Sequence, residues 1–255
     1  MVGEHTSSLV IHGDEAVSTG GIAVCGFSSI GMVGAISAGH IIRALDLVQV
    51  GTVLNPEFPA VALVHDEVPK HPVRVYQGDR VGVFTSELKF PPQQDIEFAN
   101  TVLDWFTHGG FDHLYIIDGI ERQDVNQHER QLHGIGSTSL ARRELRNHGI
   151  EPITQGVIAG IPGYLLSEGD RRGLNVTALL AECSTAFPDA RAAALAVEAF
   201  GEMAEIEMPL TELLEDARNI EDSVQRVFES QQSMLPAPEG YPIPKEDDED
   251  STMFG

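Results

Sequence analysis

The sequence predicts an α/β fold: a single domain with a mostly parallel central sheet flanked by helices, plus a C-terminal amphipathic helix and an acidic tail. Three observations predict it. Short, continuous apolar runs recur between turn residues, stretches of helical length separate them, and composition changes abruptly after residue 232. At 255 residues and 42% hydrophobic content, the chain is long enough for one large domain with a buried sheet.

The first run, residues 22–27, is followed by runs at 48–54, 60–65, 81–85, 114–118 and 176–182. Each is apolar at successive positions, as a strand covered on both faces requires, and most are too short for a buried helix. Between them, residues 31–45, 93–107, 139–147, 162–171 and 189–205 are amphipathic or rich in small residues over helical lengths. Such alternation points to parallel strands with helices on both faces. Over 209–232, Leu210, Leu213, Leu214, Ala217, Ile220, Val224, Val227 and Phe228 recur at helical spacing and lay down one apolar stripe. That stripe is expected to pack on the sheet layer or on a neighbouring subunit. Pro236, Pro238, Pro242 and Pro244 then lead to the acid run Glu246 to Asp250, which cannot bury enough surface to fold. The expected division is an N-terminal extension (1–20), an α/β core (21–208), an amphipathic helix (209–232) and a flexible Pro-rich acidic tail (233–255).

The formal net charge is -23, from 39 acidic and 16 basic residues, and only Lys70, Lys89 and Lys245 are lysines. Self-repulsion of that size acts over about 10 Å at 0.1 M salt but only about 3 Å at 1 M. The expectation is an acidic-surfaced protein of a halophile's cytoplasm, and the charge argues against nucleic acid, whose phosphates need a basic footprint. No apolar stretch approaches the roughly 20 residues of a membrane span, and residues 1–14 lack the pattern of a secretion signal. Cys25 and Cys183 each sit in a strand-like run without the spacing partners of a zinc site, so both are read as buried hydrophobes and no metal is expected.

Glycines cluster at strand-to-helix junctions. Gly26, Gly31 and Gly34 follow the first strand, where they permit a sharp turn and close packing of the next helix, whose N-terminus has the polarity to hold an anion. Their spacing matches neither the dinucleotide fingerprint nor the P-loop. Gly156, Gly160 and Gly163 form a second such loop, and Leu179-Leu180-Ala181-Glu182 ends a strand before a helix that opens at Asp189. In that order, with Val50-Gly51 and Asn55-Pro56-Glu57-Phe58-Pro59 between the loops, these motifs resemble the proteasome assembly chaperone two family over residues 21–200. Many members carry a proline near the position of Ser28. The resemblance implies a core similar to nucleoside phosphorylases and peptidyl-tRNA hydrolases. It also implies self-association into small rings or clusters, with or without a paralogue, and binding to the α-subunits of the proteasome core particle.

Catalysis has candidates but no motif. Ser28, Ser29, Asp118, Glu182, His108, His113, His128 and His133 carry the right functional groups, yet no nucleophile elbow or histidine metal motif contains them. Asp118 and Glu182 stand at strand ends, where open α/β sheets bind ligands, and the competing role for each is to cap a helix or tie a loop. The expectation is a protein that is not an enzyme, with no catalytic residue and no cofactor. Two alternatives stay open: a phosphorylase- or hydrolase-like enzyme acting on a small anion at the first glycine loop near Asp118 and Glu182, and an oligomeric scaffold whose tail confers solubility.

Met253, Phe254 and Gly255 follow the acidic run. A tail that only solvates has no use for Met and Phe. The order resembles the hydrophobic-tyrosine-any-residue ending with which proteasome activators enter pockets between neighbouring α-subunits, with Phe254 in place of tyrosine. What the resemblance implies is that Met253, Phe254 and Gly255 are the partner-binding residues.

Overall fold

The computed structural model describes residues 8–11, 20–58, 60–65, 67–122, 130–185 and 188–215. Along the chain run β1 (Ser8–Ile11), β2 (Ile22–Phe27), α1 (Val33–Ala44), β3 (Val48–Leu54), β4 (Leu63–His65), β5 (Val68–Lys70), β6 (Val73–Gln77) and β7 (Val81–Ser86). Then follow α2 (Asp95–His108), β8 (His113–Glu121), β9 (Leu132–Gly136), α3 (Ser139–Asn147), β10 (Glu151–Pro152), α4 (Gly160–Arg172), β11 (Val176–Cys183) and α5 (Ala190–Ala204). Among the described residues, nine strands form one sheet in the order β1-β3-β6-β7-β2-β8-β11-β9-β10. All of them belong to one compact unit, Met1–Ile220.

The central strands β7, β2, β8 and β11 are parallel, and the sheet continues antiparallel through β6, β3 and β1 on one side and β9 on the other. This mixed pattern follows from the connections. Helical crossovers return the chain to the starting edge and yield parallel neighbours, whereas the short link from Gln77 to Val81 folds β6 directly back on β7.

The parallel strands alternate between two cores. Val24, Tyr115, Ile117, Leu179 and Ala181 face α1, α3 and α5, while Ala23, Cys25, Leu114, Ile116, Ala178 and Leu180 face α2 and α4. Each face is packed differently. On the α2 side, Phe27, Phe84, Phe98 and Trp105 meet edge to face at 5.2 to 6.2 Å between ring centroids. On the other, α5 presents Ala192, Ala193 and Ala196, small enough for it to lie close against α1 and the sheet. Both cysteines are fully buried, as their apolar surroundings predict.

Two sequence expectations need correction. Residues 60–65 are not a buried strand. Among the described residues of this segment only Leu63–His65 is extended, paired with β5 in a two-stranded ribbon outside the main sheet, and Val61 and Val64 are 45% and 69% exposed, with no described helix covering them. Conversely, β6 is missing from the sequence reading because Arg74 and Gln77 interrupt its apolar run, yet both are buried, Arg74 with its charge met by Glu87. Of the apolar stripe at 209–232, residues 211–215 are helical and Leu213 is buried in the α1/α5 core. Residues 216–232, the tail at 233–255 and its Met253, Phe254 and Gly255 lie outside the described residues, as does most of 1–20.

His113, at the start of β8, shares a 2.8 Å hydrogen bond with the Thr177 hydroxyl and lies flat on Tyr115 at 4.2 Å. Burial pulls its pKa down to about 4, so the ring is neutral at pH 7 and its 3.5 Å approach to Glu144 is not an ion pair. An unfolded chain therefore takes up this proton first as pH falls. The contribution is fully present above the ordinary value of 6.5 and is lost as pH falls towards about 4, a swing of about 3 kcal/mol. Urea unfolding at pH 7 and pH 4.5 should show a smaller acid-induced loss for His113→Gln than for the parent. Equal losses would remove this role.

Candidate functional site

The central strands β7, β2, β8 and β11 end at one edge of the sheet, and α1, α2, α4 and α5 begin there. Both glycine loops lie on this edge. In the first, a Cβ on Gly26 would sit 2.1 Å from the Gly34 carbonyl oxygen, and one on Gly34 would sit 2.6 Å from that of Ile117. Strand and helix thus touch backbone to backbone. Gly31 and Met32 take left-handed conformations with φ of 60° and 52°, which turns the chain from β2 into α1. In the second loop, a Cβ on Gly163 would sit 2.1 Å from the Ile158 oxygen, Gly160 has a φ of 71°, and Val157 is 92% exposed.

Asp118 and Glu182 lie on adjacent strands and the same sheet face, since Leu180 pairs with Asp118 and alternation puts both carboxylates on the α2/α4 side. Their environments pull them apart. Asp118 accepts hydrogen bonds from the Ser29 hydroxyl and, at 2.7 Å, from the Gly119 N–H, but burial outweighs these and raises its pKa. Burial also acts to raise Glu182. There, hydrogen bonds from Arg122, His133 and, at 3.1 Å, the Gln131 N–H win and hold it below the usual carboxylate range.

A third carboxylate, Asp189, is 1% exposed. It caps α5 by accepting from the Ala192 N–H at 3.0 Å, accepts from the Ser184 N–H at 3.3 Å, and takes both Nε and Nη2 of Arg130 at 3.1 and 3.0 Å. Its own N–H donates to the Gly31 oxygen at 2.8 Å. Asp189 therefore joins the first glycine loop, the start of α5 and the β8–β9 connection. Cys183 lies beside it, and burial together with the charges of Asp189 and Asp118 pushes its thiol up to about 12, which makes it a poor nucleophile.

The structure brings Ser29 to Asp118 and His133 to Glu182. It carries His108 and His113 to the opposite edge, while His128 lies outside the described residues. Among the described residues, neither Ser28 nor Ser29 is hydrogen-bonded to a histidine, and no cluster of three His, Cys, Asp or Glu side chains is placed to hold a metal ion. Sequence reasoning missed Arg122 and Arg130. Their signal was present, since two arginines bracket residues 123–129 in a chain with 16 basic residues.

Fold and edge together define a class: a helix-covered α/β domain whose strand-end carboxylates brace its own loops. A family model described as the PAC2 family matches residues 23–227, and the chain belongs to that family. The crystal structure of Pyrococcus furiosus PbaA, an archaeal homolog of proteasome-assembly chaperone, is similar with a TM-score of 0.81 and 26% identity, over 89% of this chain and 94% of that one. Pyrococcus furiosus PbaB, an archaeal proteasome activator, shares the fold with a TM-score of 0.74 and 22% identity, over 88% of this chain and 99% of that one. An uncharacterised protein of Methanocaldococcus jannaschii is 23% identical over 84% of this chain and 88% of its own length. Among the described residues no helix is long and apolar enough to cross a membrane.

Proposed function

We propose that this chain is a cytoplasmic proteasome assembly chaperone that self-associates and binds α-subunits of the core particle through Met253, Phe254 and Gly255. The observation that carries this reading is family membership over residues 23–227, with a near full-length likeness to an archaeal homolog of proteasome-assembly chaperone. The edge geometry supports binding rather than catalysis. Glu182 and Asp189 spend both carboxylate oxygens on the protein's own donors, Asp118 accepts from Ser29 and Gly119 through Oδ1, and Gly26 and Gly34 are packed against backbone where an anion would have to enter.

The tail supplies the contact. Met253 and the Phe254 ring bury apolar area in a pocket between two α-subunits, and each tail alone binds weakly. Several tails on one oligomer supply avidity, and a Pro-rich linker extending about 3.1 Å per residue reaches over a subunit rim. Phenylalanine in place of tyrosine forfeits one hydroxyl hydrogen bond, about 0.5 to 1.5 kcal/mol. Deleting residues 254 and 255, or substituting Phe254→Ala, should abolish co-purification with proteasome α-subunits while the circular dichroism spectrum and sedimentation stay unchanged. Full binding by both variants would show that the tail is not the contact.

A further inference from the structure

We infer that copies of this chain pair through one bipolar face, with the arginines of α3 in one copy seated on an acid-rimmed cavity at the end of α5 in the other. The inference rests on the self-association reading and adds to it a location and a chemistry.

The cavity lies where α5 ends and the chain doubles back. It has a volume of about 360 Å³ and is lined by Glu198, Glu202, Glu205 and Glu207 around Ile206 and Met208. Gly201 makes the reversal tight: a Cβ there would meet the Ile206 oxygen at 2.8 Å. Four carboxylates gather at the negative pole of α5, whose last turn contains no basic residue. The site therefore favours a cation with an apolar stem.

The complementary surface is on the same face of the sheet. α3 packs there through Leu145, in the same core as α5. Its sequence Ser-Leu-Ala-Arg-Arg-Glu-Leu-Arg-Asn is the most basic segment among the described helices. Arg142 is occupied with the Gly136 and Ser137 carbonyls at 3.0 and 2.8 Å. Arg143 and Arg146, one helical turn apart, are exposed and have no carboxylate partner among the described residues. In a chain of net charge -23 such a patch has few neutral uses.

A basic and an acidic patch on one face of the sheet are self-complementary under a two-fold rotation. Each copy's arginines then meet the other's glutamates, so one rotation satisfies both patches. Arginine suits the role because its guanidinium pairs with carboxylates while its methylene stem covers Met208 and Ile206. Approaches that bring acidic surface onto acidic surface are repulsive, which favours this pairing.

Charge reversal on each side separately and then together tests it, with self-association read by sedimentation velocity at micromolar protein. Arg143→Glu with Arg146→Glu, and separately Glu198→Arg with Glu202→Arg, should each weaken association about tenfold or more. All four changes in one chain should restore it. Arg80→Glu with Lys89→Glu, which alters net charge by as much as the first pair, should leave association unchanged, and circular dichroism should report a native fold throughout. An oligomer that is indifferent to both reversals, or a fourfold variant that fails to recover, overturns this pairing and leaves self-association intact. A parent chain that is monomeric overturns both.

Discussion

Gly34→Ala should abolish cooperative folding, whereas Gly39→Ala, five residues further along the same helix, should stabilise the protein. At position 34 the new methyl would lie 2.6 Å from the Ile117 oxygen and 2.7 Å from the Phe27 nitrogen, both backbone atoms of central strands. No rotamer relieves such a contact. Helix α1 must lift from β2 and β8, which opens the core around Val24, Val33 and Ile117, at a cost above about 4 kcal/mol. Position 39 is different, because the nearest atom to its Cβ is the flexible Arg43 Nη1 at 3.6 Å. Only the helix-propensity gain remains there, about 0.5 to 1 kcal/mol. Urea unfolding followed by circular dichroism reads both. A Gly34→Ala protein with the parent's midpoint would show that the strand and helix do not touch as described.

The second large effect is at Asp189, where Asp189→Ala should cost about 3 to 5 kcal/mol. The substitution removes the α5 cap and withdraws a carboxylate from an Arg130 guanidinium whose side chain is only 9% exposed. Asp189→Asn keeps an acceptor for the Ala192 N–H but puts an amide N–H donor where Oδ2 accepts from Arg130 and the Ser184 N–H, so it retains the cap, loses the ion pair and should fall between parent and alanine variant. Asp189→Ala combined with Arg130→Met should cost less than the two single changes added, because the buried charge leaves with its partner. Additive costs would mean that the pair contributes no coupling. Hydrogen exchange distinguishes bracing from general loosening: amides of residues 28–34 and 184–192 should lose protection before those of β2 and β8.

Much of the fold was legible because burial writes itself into neighbouring residues. The runs at 22–27 and 48–54 coincide with β2 and β3, and the helix expected at 139–147 is α3. Local reading failed where a distant residue decides. Arg74 looks like a surface residue until Glu87 is placed beside it, and residues 60–65 look like a core strand although Val61 and Val64 are exposed and no described helix covers them. The same division runs through the edge. Asp118 and Glu182 were recognisable as strand-end carboxylates, but their opposite pKa directions were not: burial raises Asp118 against the hydrogen bond from Ser29, 89 positions away, while Arg122 and His133, 60 and 49 positions away, overcome burial and lower Glu182.

The sequence by itself determined the α/β class, the burial of both cysteines, and the glycine-rich turns that mark the family, because each depends on periodicity or on the backbone freedom of residues close together in the chain. Only the tertiary structure decided that the sheet is parallel at its centre with antiparallel pairs on either side of it, that three carboxylates brace the loop edge, and that α3 and the end of α5 share a face with opposite charge. Those outcomes depend on which distant segments become neighbours. Hydrogen bonds and ion pairs act over a few ångströms of space, whatever the separation along the chain.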